Sequence, residues 1–469
     1  MKYFIWNIIL IQFVTSFGLM APPLFGMVEE VLPPLQVDKS NINGFASSVA
    51  YYKGAVYTVD VQPAEGVNNG INLLTVVRKG EKNSLGQWIW SSHVLENQTL
   101  EDPYHTQGSI AVDKNGYIHV AYNMHNMPWQ YAVSEQPGDI NSFVFRGDPI
   151  TTEDRYAVKH LNSIAFSSIG TAAIPGNQIT YPAFFVDRNH DLYITYRYAT
   201  RPKRAWSERG FSGGIAKYDI MSKTWQAIGG PIPVTNEDAD LPGGAVSGTT
   251  FPFAYKDQWT VYLIRLGFDG NNGMHLSWMW REGGAGMETT YPSYAFSPDG
   301  GKSFFRADAS QYLLPIDVTS ADVVIQAEDF STFFSPTSIS IDSQGTPWTI
   351  MQPIGPLRMM VHFDRSIAKW SKPEPTPFNA KVFMVDGSGQ QWAFSPGIRI
   401  LRRRREATSE WEIVYSDIGY CHPSVFTVFE EKVSYIHLQT CDNQATQKIK
   451  IIRFDWGGRP SPPINLSVE

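Results

Sequence analysis

Cysteine is almost absent from this chain. Cys421 and Cys441 are the two in 469 residues, too few for a disulfide framework to carry the fold. Charge is also sparse: Asp, Glu, Lys and Arg make up 18% of the sequence and the formal net charge is -7. That balance excludes the basic footprint nucleic acid requires and gives an anionic polymer no general attraction, so any anion site must be local. After the N-terminus no apolar run is long enough to span a bilayer. The run at the start, "YFIWNIILIQFVTSFGLM", follows Met1-Lys2, contains Asn7 and Gln12, and reaches small residues at Ser16 and Gly18. It reads as a signal peptide over 1–18, which implies export and no membrane span after cleavage.

What is plentiful points one way. With 14 Trp, 22 Tyr, 27 Phe, 38 Gly and 31 Pro, the chain favours many short strands joined by tight turns. A pattern of apolar strand, Asp-led turn and aromatic strand recurs as "IAVDKNGYIHVAY", "FFVDRNHDLYITYR", "YAFSPDGGKSFF" and "ISIDSQGTPWTIM". A second phrase recurs as "KYDIMSKTW" and "HFDRSIAKW". Hairpin units repeated at such spacings indicate a radial array, an all-β propeller. At about 60 residues per blade the chain holds about seven. The resulting division is a lead over 19–40, a propeller over 41–458 that would carry any catalytic site, and a Pro-rich tail over 459–469.

The stretch "YHTQGSIAVDKNGYIHVAYNMHN" holds three of the ten histidines. Folding it about Asp113 to Gly116 brings His105 opposite His125 at the open end of the hairpin, with His119 in mid-strand as a packed residue. Folding the next hairpin about Asp187 to Asp191 sets Tyr181 against Arg197, again at the open end. Equivalent hairpins in successive blades place all four on one face. Imidazole and phenol are proton-transfer groups, and a guanidinium holds a carboxylate by two parallel bonds. Gln107, Asn123, Asn126 and Trp129 stand near this rim and are candidates to line a sugar groove by amide bonds and stacking. The cluster "RYATRPKRAWSER" offers Arg201 and Arg204, with Lys203 and Arg209, to anionic substituents. The run "RILRRRRE" reads as a charged strand edge.

Cys421 and Cys441 flank a hairpin that brings them together. A disulfide is one outcome; a structural zinc on Cys421, His422, His437 and Cys441 is another, and free thiols are a third.

At these residues the sequence resembles the propeller-type ulvan lyases, polysaccharide lyase families 24 and 25 and more closely the latter. The carriers are "YHTQGSIAVDKNGYIHVAYNMHNMPWQYAVS", "TYPAFFVDRNHDLYITYRYAT" and the Asp-box-like "SPDGGKSF". The resemblance implies a secreted enzyme that cleaves a uronate-containing, sulfated polysaccharide by β-elimination. It implies His105 and Tyr181 as the base and acid pair, His125 as a supporting imidazole and Arg197 as carboxylate neutraliser. A further active-site tyrosine of the family falls on Tyr255 or Tyr291. Catalysis then needs no cofactor, a zinc or calcium ion would be structural only, and the chain acts as a monomer. Two other readings use the same fold: a sialidase-like or other glycoside hydrolase, and a noncatalytic carbohydrate-binding propeller. The sequence lacks the Phe-Arg-Ile-Pro-like segment of sialidases.

Overall fold

The computed structural model describes residues 27–37, 47–63, 72–99, 108–148, 177–239, 241, 244–283, 289–326, 328–330, 332–355, 357–386, 389–397, 399–404, 411–441 and 447–456. The architecture is an all-β propeller. Its only α-helix among these residues is the four-residue Trp206–Arg209. Strands run up and down within each sheet and every strand pairing in the sheets is antiparallel. The first strands of successive meanders surround one axial cavity of about 690 Å³, lined among others by Val49, Phe185, Gly267, Ile339, Phe383 and Val425.

The strands gather into four four-stranded sheets, one five-stranded and one nine-stranded, six in all, plus a separate two-stranded pair. About seven separate blades were expected. The difference lies in the nine-stranded sheet, where the meanders Trp259–Phe268, Met274–Glu282, Thr289–Ser297 and Phe333–Ile341, Pro347–Pro353, Met359–Asp364 run together through the pair Thr289 and Phe333.

The Asp-led turns explain why these hairpins close where they do. One carboxylate oxygen of Asp113 accepts the backbone N–H groups of Asn115 (2.9 Å) and Tyr117 (3.0 Å). The same cap recurs at Asp187 with Asn189 and Asp191, at Asp269 with Asn271 and Gly273, and at Asp342 with Gln344 and Thr346. Each satisfies two turn donors that the ladder leaves over, the Asx-turn chemistry that favours Asp at such corners. In "SPDGGKSF", Asp299 caps Lys302 and Ser303 in the same manner, and Gly300 and Gly301 supply the positive φ, 73° and 98°, that the turn demands.

Six residues beyond the Asp stands an aromatic or imidazole side chain, and in three repeats it binds the second carboxylate oxygen. Asp113 meets His119 Nε2 at 3.3 Å, Asp269 meets His275 Nε2 at 3.4 Å, and Trp392 Nε1 donates to Asp386 at 3.0 Å. The imidazoles continue to the hydroxyls of Tyr131 (2.5 Å) and Tyr294 (2.7 Å). His119 is fully buried, packed against Tyr218 and Phe184. Burial pulls its pKa down despite the adjacent carboxylate. These Asp-His-Tyr chains pin turn to sheet, the packed role the sequence gives His119.

The strand Met27–Val37 falls within the segment read as a lead, yet it forms the outer strand of the last sheet. It pairs with Gln447–Asp455, next to Val433–Thr440 and Tyr420–Val428. The strand Arg399–Arg404 is no edge either: it is paired on one side by Gln390–Ser395 and on the other by Glu412–Ser416. Residues 1–18 and the tail 459–469 lie outside the described residues.

Candidate active site at the open hairpin ends

Three strands converge on Thr180. It sits in Asn177–Val186, opposite Arg197 of Leu192–Ala199 on one side and opposite His125 of His125–Met127 on the other. The local sequence breaks the ladder here. Pro182 has no N–H to donate, the register shifts on both sides of Thr180, and Gln178 and Tyr181 take positive φ of 52° and 57°. Such bulges re-aim side chains, and left-handed non-glycine residues cost about 1–3 kcal/mol each where the surroundings impose them. Asn123 and Asn126 share this backbone state, φ 52° and 58°. They let the chain leave its first hairpin after Ala121 and add His125–Met127 to the neighbouring sheet.

Arg197 is 6% exposed. Its Nη2 donates to Asn126 Oδ1 at 3.4 Å. That oxygen also accepts the Thr180 hydroxyl (2.9 Å), while Asn126 N–H donates to Thr180 Oγ1 (2.8 Å). The guanidinium carbon stands 4.8 Å from the Tyr181 ring centre and 4.5 Å from that of Phe211. No carboxylate pairs with Arg197 among the described residues, and its Nε is buried without an acceptor. Burial lowers its pKa, but a guanidinium remains a cation. The Tyr181 hydroxyl lies 3.5 Å from that of Tyr262, the rings edge to face. Burial pushes the Tyr181 phenol well above its ordinary value, and the charge of Arg197 offsets this only in part. The phenol is therefore protonated at neutral pH.

The structure brings Tyr181 and Arg197 into contact, and sets half-buried His125 on the other side of Thr180 from Arg197. His105 and Gln107 lie outside the described residues. Other candidates are engaged within the protein. Asn126 is 1% and Asn123 3% exposed; Asn126 orients Arg197 from beneath instead of facing a groove. Trp129 is 0% exposed and stacks on Tyr131 at 5.1 Å inside the core, so it has no face to offer a sugar. Arg201 donates to Asp238 (3.0 Å) and to the Tyr255 hydroxyl (3.2 Å), and Arg204 donates to Asp257 (3.0 Å). Two carboxylates thus occupy the two arginines that the sequence offers to anionic substituents. Tyr255 belongs to that network, and Tyr291 is exposed beside Trp259.

Cys421 and Cys441 form a disulfide with Cα atoms 4.8 Å apart. This replaces the zinc reading, because a bonded pair has no thiolates to give. His437 is fully buried with Nδ1 3.0 Å from Ser48 Oγ, and His422 lies in the same strand as Cys421.

Sequence reasoning missed Tyr262 and Arg281. Both come from the hairpin "WTVYLIRLGFDGNNGMHLSWMWRE", whose Asp269 turn carries the same signature as those at Asp113 and Asp187. Folded about that turn, it sends Tyr262 and Arg281 toward its open end.

A family model described as a BNR repeat-containing family member matches residues 49–376. The chain belongs to the BNR repeat-containing family. Among solved structures, this BNR-repeat chain is similar to a PL25 ulvan lyase bound to -[GlcA(1-4)Rha3S]-, with a TM-score of 0.60 at 13% identity over 91% of this chain and 95% of that one. It is also similar to the polysaccharide lyase Uly1, with a TM-score of 0.56 at 13% identity over 87% and 89%. At these identities the likeness concerns the fold. No curated protein matches the sequence.

Proposed function

We propose that this BNR-repeat propeller is an exported polysaccharide lyase that cleaves a uronate-containing, sulfated polymer of the ulvan kind by β-elimination. The observation that carries the reading is Arg197: a buried guanidinium with no carboxylate partner among the described residues, held by Asn126 above a protonated tyrosine. An unpaired buried cation is costly unless a ligand supplies the anion, and a uronate carboxylate fits the guanidinium fork. Bound there, the sugar presents its acidic C5 proton to an imidazole, His105 or His125, and its O4 leaving group to the Tyr181 hydroxyl. Raised by burial, that phenol serves as the proton donor and the imidazole as the base. A solved neighbour bound to a glucuronate-rhamnose sulfate unit supports this substrate class. Export rests on the N-terminal segment; no helix among the described residues is long and apolar enough to cross a membrane.

Incubation of the purified protein with a panel of anionic polysaccharides, followed by near-ultraviolet absorbance, tests the reading. A lyase creates a conjugated double bond. New reducing ends without that chromophore would mean a hydrolase, and neither signal would mean a binding protein.

A further inference from the structure

Arg281 stands next to the end of its strand, Met274–Glu282, beside the site. Thr260 pairs with Arg281 and Tyr262 with Met279, so Arg281 and Tyr262 are diagonal neighbours on one face of the sheet. The Arg281 guanidinium carbon lies 4.3 Å from the centre of the Tyr262 ring, and that of Arg197 lies 5.9 Å from the same centre. Tyr262 in turn touches Tyr181 through their hydroxyls. Among the described residues Arg281 has no ion pair and its guanidinium donates no hydrogen bond; its Nε is buried without an acceptor. The other arginines near this end of the sheets are engaged: Arg201 and Arg204 with Asp238 and Asp257, and Arg209 with the carbonyl of Arg204. Two guanidinium groups therefore flank one pair of phenols, and neither has an anion among the described residues.

That arrangement is overcharged for the ground state. A single uronate carboxylate brings one negative charge to two cations. In the elimination, the base takes the C5 proton and the C–H electron pair moves into a C5–C6 double bond, so the carboxylate carbon becomes the centre of a dianion. The pair then forms the C4–C5 double bond as the C4–O4 bond breaks, and the departing oxygen takes the Tyr181 proton. The phenolate regains a proton from solvent, and the imidazole releases its own. Only the dianion matches two cations, and interactions that strengthen on the way to the transition state are those that raise kcat. We propose that Arg281 is a catalytic residue, the second cation that with Arg197 stabilises the dianion; this rests on the lyase reading above.

The test is the split between kcat and KM in Arg281→Gln and Arg281→Lys, measured by chromophore formation on a uronate polymer with the unfolding transition recorded alongside. Arg281→Gln is expected to lower kcat about 100-fold with KM within about twofold, and Arg281→Lys to recover part of the loss. An unchanged kcat in Arg281→Gln would overturn the proposal. So would a raised KM at unchanged kcat, which would make Arg281 a ground-state subsite for another anion such as a sulfate ester. Should Arg281→Gln lack an unfolding transition, Arg281→Lys carries the test, with about a tenfold loss in kcat at constant KM expected for a lost fork and an unchanged kcat overturning it. A wild-type protein that forms no chromophore on any uronate polymer brings down the lyase reading and Arg281 with it. An active wild type with an equally active Arg281→Gln brings down Arg281 alone.

Discussion

The two ends of the same hairpins are built on opposite terms. At the turn end, Asp113, His119 and Tyr131, and again Asp269, His275 and Tyr294, form closed chains in which each member bonds the next. These residue types resemble a catalytic relay, but their bonds are spent within the protein. At the open end, Arg197 and Arg281 have no carboxylate among the described residues, their Nε atoms are buried without an acceptor there, and Tyr181 is held in left-handed backbone. Reactive residue types therefore say less about function than unfinished charge does: a buried cation without its anion is costly until a ligand supplies one.

Substitutions can break this contrast. The largest effect is expected from Tyr181→Phe, which should reduce elimination about 100- to 10,000-fold through loss of the proton donor while the unfolding midpoint hardly moves; full activity would remove Tyr181 from the chemistry. At the other end, His119→Phe should do the reverse. It removes the imidazole from Asp113 Oδ2 and from the Tyr131 hydroxyl, at about 1–3 kcal/mol for each buried group, so denaturant titration should show a clear loss of stability while the folded fraction retains its kcat. Cys421→Ser should cost about 3 kcal/mol, the loop-closure term for a separation of 20 residues, read by the same titration with and without reductant.

A smaller effect is carried by pH. The pKa of His437 falls to about 3 in the fold, from 6.5, because it is buried and faces the charge of Arg78. Between those values the unfolded chain binds a proton that the folded one refuses. Stability should thus be full above about pH 6.5 and decline as pH falls toward 3, by about 1.4 kcal/mol per unit from this one residue. His437→Gln should flatten that slope, and an unaltered slope would place the acid sensitivity elsewhere. Smallest of all, Arg204→Gln should change stability by less than about 1 kcal/mol, as partly exposed pairs do, and leave kcat unchanged, since Asp257 already occupies it.

What was legible in the sequence was whatever a single turn determines. The Asp113 turn fixes the register of Ser109 with Ala121, and the Asp187 turn that of Ala183 with Thr195, because a tight turn and a two-residue side-chain period leave little freedom. Arg197 misses Tyr181 by one position and faces Thr180, the effect of the bulge before Pro182. The rest depended on contacts between hairpins. His125 crosses to the neighbouring sheet, Trp129 sinks into the core, Asp238 and Asp257 reach back to the Arg201 cluster, and Tyr262 and Arg281 arrive from a hairpin tens of residues away. No local pattern encodes those meetings. Only the shared Asp-turn signature of the third hairpin could have flagged the last two.

The first described strand, Met27–Val37, is sewn along the last, Gln447–Asp455. The disc therefore has a seam at which the chain's beginning holds its end. Neither strand can peel away alone, for lifting one bares the rim of the other. A deletion through Val37 would leave a raw β rim on Gln447–Asp455, open to pairing with a second molecule, so damage at the molecule's margin would spread as self-association before it reached the pocket.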